Sequence, residues 1–335
     1  MRFAVRFNSD QGSVDQIVRL AMLAEESGFD CVWYCHDLFK RHAWVVLSAI
    51  AANTKRVRIG PAIVNPYTAN PAEIAMAIVT LDELSAGRAV LGIGAGASEF
   101  LSWIGLETRR PLTRTREAIQ IVRNLIADRR TAFEEKEFTH WMKEAYLRLR
   151  PLREKIPVYI GAHGFRMLEL IGEIGDGGLP SLFPPEFAIR AVESIRRGAR
   201  RANRDVSDID ISGCIWFSLS DNTDEAKKAL RGLIAYYGPH LAPVMIREID
   251  LHPTDFDPIR DAVKKRDLET AKTLVTEKMM RLAIFGSPEE CVHRLEELER
   301  NGITQVNIGP PLGPRPEEAI RAIGSRIIPY FSNNE

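Results

Sequence analysis

Along the chain, short runs in which apolar and polar positions alternate are separated by longer runs whose apolar positions recur every three to four residues. RFAVRF (2–7) has the period of a strand, and SVDQIVRLAMLAEESG (13–28) that of a helix with Ser13 as N-cap and Gly28 as stop. The same reading predicts further strands at 30–35, 56–64, 89–96, 156–164, 176–183, 208–220 and 304–309. Helices are predicted at 44–53, 71–87, 113–128, 165–174, 184–203, 223–238, 287–302 and 316–328. Pro71 opens the third of these helices and Gly87 ends it, the usual asymmetry of helix termini.

Eight strands alternating with helices imply parallel pairing through right-handed crossovers, in an α/β protein. Two architectures meet that description, a doubly wound open sheet and a (β/α)8 TIM barrel. The count of eight and the even spacing favour the barrel. No Ser/Gly-rich linker divides the chain, so one domain spanning 1–335 is expected. Two segments, 129–150 and 239–285, fit the repeat poorly and are expected to be insertions. Insertions in barrels commonly form lids, site walls or interfaces.

Charge and cysteine content narrow the function by exclusion. The 45 basic and 45 acidic residues cancel, so no global field attracts nucleic acid or an anionic membrane surface. No apolar run spans a bilayer, and the N-terminus lacks the apolar core of a signal peptide, so a cytoplasmic location is expected. Cys31, Cys35, Cys214 and Cys291 show no metal-ligand spacing and read as buried core residues. No metal is expected.

In a barrel the chemistry gathers where strands end and loops begin. Those positions hold Asn8 after strand 1, His36-Asp37 after strand 2, and NPYTANP with Asn65 after strand 3. GIGAGASEF follows strand 4, GAHGF strand 5 and GPPLGP strand 8. Glycine there either lets backbone N–H groups approach a phosphate or merely turns the chain, and GIGAG lacks the third glycine of a dinucleotide fingerprint. The stretch RVRIGPAIVNPYTANP is unusual in itself. Gly60-Pro61 interrupts an otherwise apolar strand, where proline normally marks an end, an edge or a bulge.

The block IGPAIVNPYTANPAEIAMAIVTLDELSAGRAVLGIGAG resembles the core of the bacterial-luciferase-like superfamily of flavin and deazaflavin barrels. KIPVYIGAHGFRMLELIGEIGDGGL and GITQVNIGPPLGP narrow the resemblance to the 5,10-methylenetetrahydromethanopterin reductase branch. It covers residues 2 to about 331 and is weakest in the two insertions. The resemblance implies an oxidoreductase that passes a hydride from reduced coenzyme F420 to a C=N carbon of a tetrahydropterin. An FMN-dependent monooxygenase and a non-catalytic coenzyme-binding barrel are the alternatives. A homo-oligomer, dimer or tetramer, is also implied.

By resemblance, strand 3 ends in a bulge with a non-prolyl cis peptide at Ala62–Ile63 that supports the coenzyme ring, with Asn65 at the ring edge. Gly94, Ala95 and Gly96 would line the coenzyme, and Gly161, Ala162, His163 and Gly164 would hold its phosphodiester. Two departures stand out. The family's usual Asp-His at the end of strand 2 is reversed to His36-Asp37, and a usual strand 1 glutamate is Arg6. Arginine cannot serve as an acid, so a proton donor would come from His36, Asp37 or Glu99, and Arg6 would bind an anion or a carboxylate such as Asp37 or Glu99.

Overall fold

The computed structural model describes residues 1–130, 132 and 134–332. In chain order its first elements are β1 (Arg2–Phe7), α1 (Val14–Glu26), β2 (Cys31–Tyr34), α2 (Ala43–Asn53), β3 (Arg58–Pro61) and α3 (Pro71–Leu84). There follow β4 (Leu91–Ile93), α4 (Ser98–Trp103), α5 (Pro111–Ile126), β5 (Val158–Ala162), α6 (Phe165–Ile174) and β6 (Gly177–Pro180). The remaining elements used below are α7 (Ala188–Arg201), β7 (Asp210–Leu219), α8 (Thr223–Tyr237), β8 (Ala283–Gly286) and β9 (Gln305–Leu312).

The strands form one parallel sheet in the order β3-β2-β1-β9-β7-β6-β5-β4. Bridges Ile59 to Ala89 and Val64 to Ile93 join its two ends, closing an eight-stranded barrel. The caps form as their residues dictate. Ser13 accepts from the Gln16 N–H in a reciprocal capping box, and Asn70 caps α3 ahead of Pro71.

Alternation along the strands sends every second side chain into the barrel. At the lower end Asp210 meets Arg2 at 2.7 Å, accepts from the Tyr159 hydroxyl at 2.7 Å and from Thr304 Oγ1 at 2.7 Å. Trp33 lies edge-on to Tyr159, with ring centroids 5.2 Å apart, and fills the middle. The lower barrel is thus packed, and only the upper end, where the strands finish, is open to ligands.

Two features differ from the sequence expectation. The insertion expected at 239–285 ends in a strand of its own, β8, which pairs with the second half of β7 from Trp216–Ala283 to Leu219–Gly286. β6 pairs only with the first residues of β7, so β8 takes over the same edge higher up. The loop after β4 contains a six-residue helix, α4, where no element was expected.

Helices α6 and α7 cross at two glycines. A Cβ on Gly172 would collide with the Ile195 carbonyl, and one on Gly198 with the Glu169 carbonyl. The two backbones therefore touch, which fixes the height of α6 and of its N-terminus above β5.

Candidate active site

The closing edge of the barrel carries the bulge. Between the two bridges that join β3 to β4, Gly60, Pro61, Ala62 and Ile63 oppose Val90, Leu91 and Gly92, one residue too many. Val90 N–H donates to Ile59 O at 2.9 Å below the bulge, and Gly94 N–H to Val64 O at 3.0 Å above it. The Ala62–Ile63 peptide is cis. Gly60 and Gly92 make the bulge possible, because a Cβ on either would strike the facing carbonyl of Val90 or Pro61. Ile63 then lies across the barrel top. A Cβ on Gly161 would sit 3.0 Å from its Cγ2, and one on Gly94 3.4 Å from its Cδ1.

Asn65 is buried, and its Oδ1 accepts from the N–H groups of Tyr67 and Thr68 at 3.0 Å each and from Thr68 Oγ1 at 3.2 Å. That oxygen is committed to folding the NPYTANP loop. Gly96, at φ 74°, passes close beside the Asn65 amide, and Ala95 is half-buried between Gly94 and Gly96.

β5 leads directly into α6. Ala162 is buried, while His163 and Gly164 are open to solvent. No side chain caps α6, and a Cβ on Gly164 would meet nothing within 4 Å. Met167 N–H turns back to Gly164 O at 3.0 Å, which leaves the Phe165 and Arg166 N–H groups at the start of this ten-residue helix without a side-chain cap, a ready place for an anion. The His163 imidazole turns towards Ser181, just after β6. Its Nε2 lies 3.1 Å from Ser181 Oγ. Burial, then the nearby Arg6, lowers its pKa, so it is neutral near pH 7.

The reversed His36-Asp37 pair lies beyond β2, which ends at Tyr34, so contacts rather than strand alternation place each side chain. The His36 ring turns to α2, where Nδ1 accepts the Ala43 N–H at 3.3 Å and the ring meets His42 edge-on at 4.7 Å. Burial, then the neighbouring His42, lowers its pKa to about 4. His36 is thus a neutral cap on α2. Asp37 lies near Arg6 and Tyr237, and its carboxyl has no hydrogen-bonding partner among the described residues. Burial raises its pKa, with Lys40 lowering it, Asp10 raising it and Arg6 lowering it in turn.

Arg6 is 7% exposed and points inward from the end of β1. Its Nη2 donates to Ile215 O at 3.4 Å, its side chain also hydrogen-bonds Cys214, and among the described residues no carboxylate lies within 4 Å of it. Neither Asp37 nor Glu99 pairs with it. Glu99, on α4, instead contacts His240 Nδ1 at 2.7 Å, with both side chains exposed, and so ties α4 to the start of the insertion.

Other residues at this end escaped the sequence reading. Phe183 stacks on Trp216 with centroids 4.3 Å apart and planes 14° apart. The Arg6 guanidinium lies 5.9 Å from the Phe183 centroid. Tyr237 lies against Trp216 at 6.3 Å, and its hydroxyl pKa is pushed up by burial first and then by Asp37. A groove of about 510 Å³ adjoins them, lined among others by Asn8, Lys40, Leu233, Tyr237 and Pro311. Alternation along SGCIWFSL marks Ser212, Cys214 and Trp216 as inward, but only the register with β9 shows how high each stands.

Among the described residues no group of His, Cys, Asp and Glu side chains could hold a metal ion, and no helix is long and apolar enough to cross a membrane.

Residues 1–305 match the model of a family described as Luciferase-like monooxygenase. The 5,10-methylenetetrahydromethanopterin reductase of Methanolobus tindarius is 33% identical over 330 residues, covering 98% of this chain and 100% of that protein. The reductase of the same name from Archaeoglobus fulgidus is 33% identical over 334 residues, covering 98% and 99%. The solved structure of the coenzyme F420 dependent tetrahydromethanopterin reductase from Methanopyrus kandleri matches with a TM-score of 0.92 at 30% identity, covering 98% of this chain and 99% of that one.

Proposed function

Because the chain belongs to the luciferase-like monooxygenase family, we propose that it is a coenzyme F420-dependent oxidoreductase that reduces a 5,10-methylene-tetrahydropterin to the 5-methyl form. The observation that carries this reading is the match, over nearly the whole chain, to reductases of that name and to the Methanopyrus kandleri structure.

The residues at the open end suit the coenzyme. Ile63, seated over Gly94 and Gly161, offers a flat apolar support at the barrel top for a tricyclic ring. The uncapped start of α6, with Gly164 leaving open space, suits its phosphodiester. When bound, a deazaflavin supplies two-electron hydride chemistry. The protein's share is placement and electrostatics. Ala62 and Ile63 hold the ring support, and Phe183 and Trp216 form a flat wall for the substrate. Asp37 is the proton donor, because it lies near Arg6 and Tyr237 without a hydrogen-bonding partner among the described residues and burial favours its protonated form. His36 serves in positioning the strand 2 loop on α2 rather than in proton transfer. Glu99 stands outside the chemistry, in the contact between α4 and the insertion.

Binding of the purified protein to oxidised coenzyme F420 and to FMN, followed in parallel by fluorescence, tests the reading. Coenzyme F420 should bind at least tenfold more tightly. Tight FMN binding without F420 binding would overturn it in favour of a flavin enzyme.

A further inference from the structure

We propose that the groove beside Tyr237 seats the side chain of the substrate, and that this side chain is an uncharged aryl group on the nitrogen that leaves the bridging carbon. The proposal rests on the functional reading above and extends it from the reacting rings to the rest of the substrate.

The reaction fixes where that side chain starts. Turning a 5,10-methylene bridge into a 5-methyl group adds a hydride to the bridging carbon and breaks that carbon's bond to the 10-nitrogen. The electron pair of the broken bond stays on the nitrogen, which takes the Asp37 proton, and solvent reprotonates the carboxylate. The leaving nitrogen is thus beside Asp37, and its substituent continues from there. An aryl substituent draws the lone pair into its ring and makes this nitrogen the better leaving group. The groove opens at the same point. Lys40, Asp10 and Tyr237 line it, and all three are close enough to Asp37 to interact with it electrostatically. Tyr237 also lies against Trp216, so the groove and the cavity share a wall.

The lining suits a flat apolar group. On α8, Ala229, Gly232, Leu233 and Tyr236 recur at helical spacing, so one face of the helix borders the groove. Glycine weakens the middle of a helix, and a Cβ on Gly232 would meet only the end of the Lys272 side chain, at 3.5 Å. Packing therefore does not demand this glycine, and what it provides is room in the groove. Tyr236 is 42% exposed with its ring edge-on to Tyr237 at 4.8 Å, and Pro311, Pro314 and Pro316 also line the groove. Tyrosine and proline rings present apolar faces on which an arene can lie. The charged lining residues are Asp10 and Lys40, joined at 2.8 Å. An anionic side chain would find no free cation between them and would crowd Asp10, so the group seated here is neutral.

Three tetrahydropterins are the probes, titrated calorimetrically and without oxygen into the purified full-length protein and into Gly232→Phe. They carry at the 6-carbon a methyl group, an anilinomethyl group, or an anilinomethyl group with a para carboxylate. The wild type should bind the anilinomethyl compound at least about tenfold more tightly than the methyl compound, and at least about threefold more tightly than the carboxylate. Gly232→Phe, whose ring fills the groove from α8, should lose the gain from the aryl group and melt no lower than the wild type. Its binding of the methyl compound and of coenzyme F420 should stay within about threefold of the wild type. Equal binding of the methyl and anilinomethyl compounds by the wild type would overturn the proposal, and this comparison needs no variant to fold. Equal or tighter binding of the carboxylate would overturn it as well, and so would an aryl gain that persists in folded Gly232→Phe. If the wild type binds the methyl compound and gains nothing from the aryl group, the groove assignment alone fails. If it binds none of the three, the functional reading fails with it.

Discussion

Replacing Gly164 with aspartate should separate coenzyme binding from folding. Gly164 has φ −95° and ψ 153°, extended values open to any residue, and its new Cβ would meet no atom within 4 Å. It is also the N-cap of α6, where aspartate is preferred over glycine by a few tenths of a kcal/mol. The variant should therefore melt at or slightly above the wild-type temperature. Its carboxylate, however, would accept the same first-turn N–H groups that the coenzyme phosphodiester is proposed to use. Two unit charges about 5 Å apart repel by about 1.7 to 3.3 kcal/mol at effective dielectric constants of about 40 to 20. Salt screening lowers this, and an expected loss of about 1.4 to 2.8 kcal/mol is a factor of about ten to one hundred in Kd. Fluorescence titration with F420 at low and high salt reads it directly. The deficit should shrink as salt rises, and Gly164→Ala should stay within a few-fold of the wild type. A folded Gly164→Asp protein with unchanged affinity would show that the phosphodiester lies elsewhere.

Asp37→Asn should lower kcat by about a hundredfold, the usual worth of a positioned general acid, and abolish the loss of rate that the wild type shows as rising pH ionises Asp37. F420 affinity in that variant should stay within twofold, and a parental kcat would remove Asp37 from the chemistry. Gly198→Ala should destabilise the protein by about 1 to 3 kcal/mol in urea denaturation, because the added methyl meets the Glu169 backbone rather than a movable side chain; a change under about 0.5 kcal/mol would mean that the helices can part. His36 has a folded pKa near 4, below its unfolded value, so its contribution to stability is complete above about pH 6.5 and is lost as pH falls towards 4. His36→Gln should flatten that part of the urea-midpoint profile, and an unaltered slope would assign the effect to other groups.

Much of the barrel can be read from the chain because each strand has its own period and each long helix its own cap. The Gly-Pro break in RVRIGPAIV marks the bulge for the same reason, since neither residue suits an uninterrupted central strand. β8 has four residues and follows a run of short, charged helices, too little for a period to register. α4 has six residues, and its N-cap is Ala97, which offers no capping oxygen. The order His36-Asp37 is not legible from alternation, because β2 ends at Tyr34 and the pair lies in the loop beyond it. Glu99 is a second such case. Its partner His240 is 141 positions away in sequence (240 − 99), on the insertion, and no local pattern relates the two. Phe183, Trp216 and Tyr237 come together from the loop after β6, from β7 and from α8 through the register of the sheet, which no single segment encodes.

The four-residue ladder between β7 and β8 decides what kind of cover the insertion can be. A segment hinged at one end swings like a door, but this one leaves the barrel wall at α8 and is sewn back into the sheet at β8, so it is a bridge. Lifting it would unzip parallel backbone hydrogen bonds along Trp216–Leu219, which are part of the wall itself. Beside it, α4 leans on the bridge through the exposed Glu99–His240 contact. A surface pair of that kind contributes about 1 kcal/mol or less.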